Sequence, residues 1–320
     1  MIAPPAAFFA EGACEVENAG KINETAVCRL CPRACGVARE GVRGQGFCGC
    51  GSVPVISRAA LHAWEEPIIS GTRGSGTIFF SGCTLGCVFC QNHAISSRLR
   101  GRAVTPAQLA DVMRELEAAG AHNISFVTGT QYLPAIEEAL ALYRPRIPLV
   151  WNSGGYETED TVRRLSAFID IWLPDYKFSL PDLAKRYCRA PDYPDVAMSA
   201  IRLMCRLNEA HGGTLIEDGI MRRGVIVRHL VMPHHTRHSV AALRRLRDSL
   251  PSGTLVSLMS QYTPSGNLTD FPELTRRLTE REYAKVLQVA DELGIEGFRQ
   301  ELSSAKEEYV PAFDLSEVGD

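Results

Sequence analysis

From Thr77 to Gly294, short β-rich runs alternate with amphipathic stretches, and this alternation limits the fold more than any other feature of the chain. TIFFSG (77–82) leads into a cysteine loop. TPAQLADVMRELEAAG (105–120) has helix signals at both ends: Thr105 placed as amino-terminal cap, Pro106 at the first position and Gly120 at the end. NISFVTG (123–129) precedes the helical LPAIEEALALYR (133–144), and LVWNSGG (149–155) precedes TEDTVRRLSAF. IDIWLPDYKF (169–178) is followed by DVAMSAIRLMCRLNEAHG, VIVRHLVMP (225–233) by SVAALRRLRDSL, and TLVSLMSQYTP (254–264) by TEREYAKVLQVADELG (279–294). Six β/α units in succession predict parallel strands joined by right-handed crossovers and covered by helices. Six fall short of a complete eight-unit barrel, which leaves an open doubly wound sheet or a partial barrel. In either, the active site belongs at the carboxyl ends of the strands.

Eight of the eleven cysteines lie between Cys28 and Cys90. Their odd number, and an amino-terminus without a basic region and broken by Pro4 and Pro5, favour reduced thiolates holding metal over disulfides. The hydrophobic fraction of 45% and charged fraction of 22% are those of an ordinary soluble protein. Lys+Arg 34 against Asp+Glu 37 gives a formal net charge of −3, so no global basic field points to nucleic acid or an anionic membrane. No apolar run approaches the roughly 18–20 residues of a membrane span. The expectation is a cytoplasmic protein that binds neither.

Cys83, Cys87 and Cys90 follow the first strand with spacing C-x3-C-x2-C, with Gly82 and Gly86 letting the backbone wrap closely and Phe89 beside the third sulfur. Iron–sulfur clusters ordinarily take four thiolates, and structural zinc sites a closed set of four. No fourth cysteine follows within the loop, although His93 would complete a zinc set. The position at the ligand end of the first β/α unit favours a cluster with one iron open.

With that loop in place, the sequence resembles the radical S-adenosylmethionine (SAM) enzymes, in the branch similar to pyruvate formate-lyase activating enzymes. The residues that carry the resemblance are CRLCPRACGV, GSGTIFFSGC, CVFCQN, RHLVMP and SLMSQYTP, and it covers roughly residues 28 to 312. It implies a partial (β/α)6 TIM-like barrel over 76–300. A tail (1–27) and a Cys-rich metal-binding extension (28–75) precede the barrel, and a carboxyl-terminal extension (301–320) follows it. It also implies a [4Fe–4S] cluster whose open iron chelates SAM, and a 5′-deoxyadenosyl radical that takes hydrogen from a substrate, in activating enzymes a glycine of a partner glycyl-radical enzyme. An electron donor such as flavodoxin or ferredoxin is the expected partner.

The resemblance also nominates side chains. Gly129, Thr130 and Gln131 occupy the position where relatives carry a Gly-Gly-Glu-like stretch for the SAM amino group; here the second glycine and the acid are missing. Asn152 and Ser153 are candidate contacts to the ribose or carboxylate, and Gln261 is either an adenine or ribose contact or a structural amide. Asp175 and Lys177, two apart on an extended run, point to the same face and match the Asp-x-Lys of the activating enzymes; they are the candidate catalytic pair. Arg228, inside an apolar strand, needs an anionic partner, because a buried uncompensated charge costs several kcal/mol. His229, on the other face, is expected in the core.

Cys28, Cys31, Cys35 and Cys48 form a set of the right size for tetrahedral zinc or a fully ligated second cluster, with Cys50 able to replace Cys48. Cys14, Cys188 and Cys205 read as incidental; the histidines of PHHTRH (233–238) could bind metal, but read as a solvated loop after a strand. His62, Trp64, Glu65 and Glu66 connect the two cysteine regions and are expected near the site entrance.

Overall fold

The computed structural model describes residues 27–302. The described strands are β1 (Val55–His62), β2 (Ser75–Phe80), β3 (Arg102–Ala103), β4 (Ile124–Val127), β5 (Leu149–Ser153), β6 (Ile171–Pro174), β7 (Leu215–Glu217), β8 (Ile220–Leu230), β9 (Leu255–Met259) and β10 (Gly297–Arg299). They form one sheet in the order β10-β9-β8-β6-β5-β4-β2-β1-β3, with β7 paired to β8. All six expected strands are there, parallel to one another and in sequence order: β2, β4, β5, β6, β8 and β9. The fold is an α/β partial barrel, as the sequence resemblance implies.

Helices α1 (Pro67–Ser70), α2 (His93–Ser96), α3 (Pro106–Ala118), α4 (Leu133–Leu142), α5 (Glu159–Leu165), α6 (Pro181–Cys188), α7 (Tyr193–Ala210), α8 (Thr236–Ser249) and α9 (Glu280–Glu292) complete the fold. The Thr105 hydroxyl caps α3, and Gln108 returns the contact to the Thr105 N–H, as the sequence signals predict. Leu109, Met113 and Leu116 of α3 are buried against the sheet. Each such side chain contributes about 1.5–3 kcal/mol. Every residue of β2, β4, β5 and β6 is buried, as strands covered on both faces must be.

The structure adds elements that periodicity does not reveal. Residues 55–62, expected to be loop, form β1, antiparallel to β2. Its alternation is obscured because Ser57 is buried, hydrogen-bonded to the Ser81 hydroxyl (2.7 Å) and the Arg100 carbonyl (2.7 Å). A seventh parallel strand, β10, pairs with β9 through only three residues. Its Gly297 has φ +130°, and a Cβ there would stand 2.2 Å from the Val256 carbonyl oxygen. Helix α6, between the fourth strand and α7, was also not anticipated.

Candidate active site

The carboxyl ends of the parallel strands surround a cavity of about 220 Å³. Cys83, Cys87 and Cys90, from the loop after β2, line it together with Asp175, Lys177 and Arg228 from the ends of β6 and β8. The loop is held from behind: Val88 N–H donates to the Tyr187 carbonyl (2.9 Å), and the Phe89 ring meets those of Phe178 and Tyr187 edge-on.

Asp175 and Arg228 continue the β6–β8 pairing past the last residue of β6, which brings their side chains into line. Arg228 Nε donates to Asp175 Oδ1 (2.9 Å), Nη1 to Glu65 Oε2 (3.2 Å) and Nη2 to Asn152 Oδ1 (2.5 Å). Lys177 Nζ donates to Asp175 Oδ2 (2.5 Å), and Asn152 Nδ2 to Glu65 Oε1 (3.0 Å). The anionic partners that Arg228 requires are thus Asp175 and Glu65. The Tyr193 hydroxyl accepts the Lys177 N–H (2.8 Å) and lies 2.8 Å from the Asp175 carbonyl, fixing the turn that carries both residues.

Burial would raise the pKa of the Asp175 carboxyl, but Arg228 and Lys177 outweigh it and hold the group below the usual carboxylate range. Burial disfavours charge on Lys177 as well, yet the Asp175 carboxylate holds its pKa above the ordinary lysine value. Glu65 and Glu66 go the other way: burial pushes both up, against the pull of Arg228. The cavity therefore holds two cations, Arg228 and Lys177, braced by Asp175 and Glu65.

Ser153 and Gln261 also line the cavity. Gln261 is held on both sides: its carbonyl accepts from Gln91 Nε2 (2.8 Å) and its Oε1 from Gln300 Nε2 (2.8 Å). Gly129, Thr130 and Gln131 do not line it. Thr130 donates to Glu157 Oε1 (3.1 Å), and Gln131 Nε2 donates to the carbonyls of Ser81 (3.1 Å), Gly82 (3.3 Å) and Thr128 (2.7 Å). This stretch buttresses the cysteine loop from below. His93 does not line the cavity, whereas His62, Trp64 and Glu65 do. His229 is fully buried between the Tyr176 carbonyl (2.7 Å) and the Ser239 hydroxyl (3.0 Å).

Several site residues escaped sequence reasoning. Thr128 lines the cavity with φ +58°, an outlier for a β-branched residue. Cys188 is not incidental: its thiol lies 3.1 Å from the Cys87 sulfur. Cys205 is buried on α7, and Cys14 lies outside the described residues. His235 is no solvated loop residue either, since its Nε2 lies 2.8 Å from the Tyr187 hydroxyl.

Cys28, Cys31, Cys35, Cys48 and the buried Cys50 line a second, smaller cavity. The Cys50 thiol donates to the carbonyls of Cys48 (3.3 Å) and Ser81 (3.7 Å). Arg33, inside this cysteine segment, donates to the carbonyls of Thr84 (3.1 Å), Leu85 (3.1 Å), Cys188 (2.8 Å) and Arg189 (2.5 Å). Its guanidinium stacks 3.8 Å over the Phe47 ring. All ten described cysteines are free thiols, and no three His, Cys, Asp or Glu side chains among the described residues are arranged to hold a single metal ion.

The radical SAM superfamily model matches residues 77–247, which run from β2 into α8 and include the three-cysteine loop. The chain belongs to the radical SAM superfamily. An uncharacterized protein of Methanocaldococcus jannaschii, MJ0674, is 30% identical over 278 residues, covering 84% of this chain and 75% of its own length. Among solved structures, a radical SAM methyltransferase from Sphaerobacter thermophilus aligns at 18% identity and TM-score 0.49, over 72% of this chain and 68% of its own. A domain of a pyruvate-formate lyase-activating enzyme from Bacteroides vulgatus aligns at 13% identity and TM-score 0.36, over 61% of this chain and 91% of its own.

The protein is thus a radical SAM enzyme, a family whose members use SAM and a [4Fe–4S] cluster. Its residues fit that pair: three half-buried thiols face one cavity, and two cations stand in the same space. No helix among the described residues is long and apolar enough to cross a membrane.

Proposed function

We propose that Cys83, Cys87 and Cys90 hold a [4Fe–4S] cluster with one iron open to SAM, and that the cavity beside them is where substrate hydrogen is abstracted. The observation that carries this reading is that the three thiols and the Lys177–Asp175–Arg228–Glu65 network face the same cavity. When bound and reduced, the pair supplies a 5′-deoxyadenosyl radical. The chain's own groups bind and orient. Arg228 and Lys177 attract the SAM carboxylate, Asp175 keeps both cations fixed, and Asn152, Ser153 and Gln261 supply polar contacts to the ribose and base. The stretch Gly129, Thr130 and Gln131 acts on SAM indirectly, through the Gln131 amide that supports the loop carrying Cys83.

The substrate we favour is a peptide glycine of a partner glycyl-radical enzyme, on the strength of the Asp-x-Lys pair and the motifs shared with activating enzymes. Another peptide or a small molecule is the second reading. Trp64, 59% exposed at the cavity wall, leaves that side open to a bulky substrate. Cys28, Cys31, Cys35 and Cys48 hold a second metal or cluster in this proposal, with Cys50 able to replace Cys48, since all five line one small space that Arg33 ties to the first loop.

The test is anaerobic reconstitution with iron and sulfide, addition of SAM and dithionite, and assay of 5′-deoxyadenosine. Wild type should form it and Cys87→Ala should not; equal background from both sinks the reading. Deuterium transfer from labelled candidate proteins into 5′-deoxyadenosine then separates a peptide glycine from other donors.

A further inference from the structure

Arg43, Arg98 and Arg100 are exposed around one surface cavity whose lining also includes Cys48 and Gly82. No carboxylate lines it, although the chain as a whole carries a formal charge of −3. The positive field is therefore local to this face. The segment that carries two of the arginines is anchored. The Arg100 carbonyl accepts hydrogen bonds from the buried hydroxyls of Ser57 (2.7 Å) and Ser81. Gly101, at φ +131°, packs so closely on β1 that a Cβ would stand 2.3 Å from the Ile56 carbonyl oxygen.

What lies beneath this face is specific. Gly82 is the residue before Cys83, and a Cβ on it would lie 2.2 Å from the Cys50 sulfur. Cys48 itself lines the cavity. Both sulfur-bearing segments thus reach the floor below the arginines. None of the three arginines lines the cavity shared by Asp175, Lys177 and Arg228. A body seated here would approach the cysteines without blocking the way to the substrate side.

We propose that this arginine face docks an acidic one-electron carrier protein. The inference rests on the radical SAM reading, which requires an external electron. One electron leaves the reduced carrier and enters the iron–sulfur centre held by Cys83, Cys87 and Cys90; the carrier is oxidised by one electron, the centre is reduced by one, and no bond joins the proteins. Paired opposite charges raise the encounter rate and fix the orientation in which the two centres approach. Single-stranded nucleic acid fits less well, because its grooves combine cations with stacking aromatics and no aromatic side chain lines this cavity.

The experiment compares wild type with the triple variant Arg43→Glu, Arg98→Glu, Arg100→Glu, both reconstituted, with an acidic plant-type ferredoxin as probe. Wild type should bind the ferredoxin with an affinity that weakens at least tenfold as salt is raised. The variant should lose at least tenfold in binding and in ferredoxin-driven 5′-deoxyadenosine formation, while matching wild type in iron content and in dithionite-driven formation. Wild-type binding and ferredoxin-driven rate in the triple variant overturn the proposal. So does a wild type that binds a single-stranded oligonucleotide through these arginines and leaves the ferredoxin unbound. If dithionite drives no SAM cleavage in wild type, the radical SAM reading fails separately, and the binding comparison still decides the docking face.

Discussion

Cys188, the last residue of α6, donates its thiol hydrogen to the Cys87 sulfur across 3.1 Å. The contact joins a helix end to the cysteine loop, and it is flanked by two more: Val88 N–H on the Tyr187 carbonyl and Arg33 on the Cys188 carbonyl. Hydrogen bonds to cluster sulfurs draw electron density from the iron and raise its reduction potential. Cys188→Ala should therefore lower the midpoint potential by an amount on the order of tens of millivolts, whereas Cys188→Ser, which keeps a donor, should stay near wild type. A redox titration followed by electron paramagnetic resonance reads the shift. Equal potentials for the alanine variant and wild type would remove this role from Cys188.

The ion network sets a second expectation. Arg228 contacts two carboxylates and one amide oxygen, and its side chain is only 12% exposed. Removing one partner of a buried pair typically costs 3–5 kcal/mol, because the charges left behind are uncompensated. Arg228→Met should thus lower unfolding free energy by about 3 kcal/mol or more in urea. Arg228→Lys keeps one charge but cannot serve Asp175, Glu65 and Asn152 at once. We expect it to retain most of the stability and lose at least tenfold in SAM cleavage. A lysine variant with full activity would show that charge alone, not the guanidinium fork, positions SAM.

How much of this was legible in the sequence follows from how far each contact reaches. The six parallel strands are local patterns, and so were found. Asp175 and Lys177 share a face because they are two apart, and Arg228 announced its need for an anion by sitting in an apolar strand. Glu65 lies 163 residues from Arg228, and no periodicity links them. Cys188 read as incidental because its partner is 101 positions away. The stretch from Gly129 to Gln131 read as a SAM contact from its place at a strand end, but the Gln131 amide turns toward the carbonyls of Ser81 and Gly82. Only three-dimensional placement separates a strand-end side chain that faces the cavity from one that supports its wall.

Arg33 provides a third test, because it ties the first cysteine segment to the loop that carries Cys83 and Cys87. Its guanidinium meets four carbonyls from two other segments. Hydrogen bonds to charged groups contribute roughly 1.5–3 kcal/mol each and are not additive. Arg33→Ala should free residues 28–50 to open locally, seen as faster proteolytic cleavage in that segment, and should lower metal retention at both cysteine sets. Arg33→Lys, with one cationic head in place of a fork, should rescue little of either. Unchanged cleavage and metal content would mean that the two segments fold independently.

Glu157 carries a prediction about pH. Its carboxyl is buried near Thr130, Ser153 and Trp151, and burial, opposed by these polar neighbours, pushes its pKa from 4.5 to about 7. Oε1 accepts from Thr130, while Oε2 has no hydrogen-bond partner. The folded pKa lies above the unfolded one, so folding favours the protonated form. The stabilisation associated with that form is complete below about pH 4.5 and is lost as the pH rises through about 7. A shift of this size corresponds to roughly 3 kcal/mol. Between pH 5 and pH 8, wild type should therefore lose on the order of 3 kcal/mol of unfolding free energy relative to Glu157→Gln, which stays neutral throughout. Urea denaturation of both proteins at several pH values makes the comparison. Parallel stability curves would mean that Glu157 stays ionised in the folded protein, with Oε2 satisfied by a donor such as water.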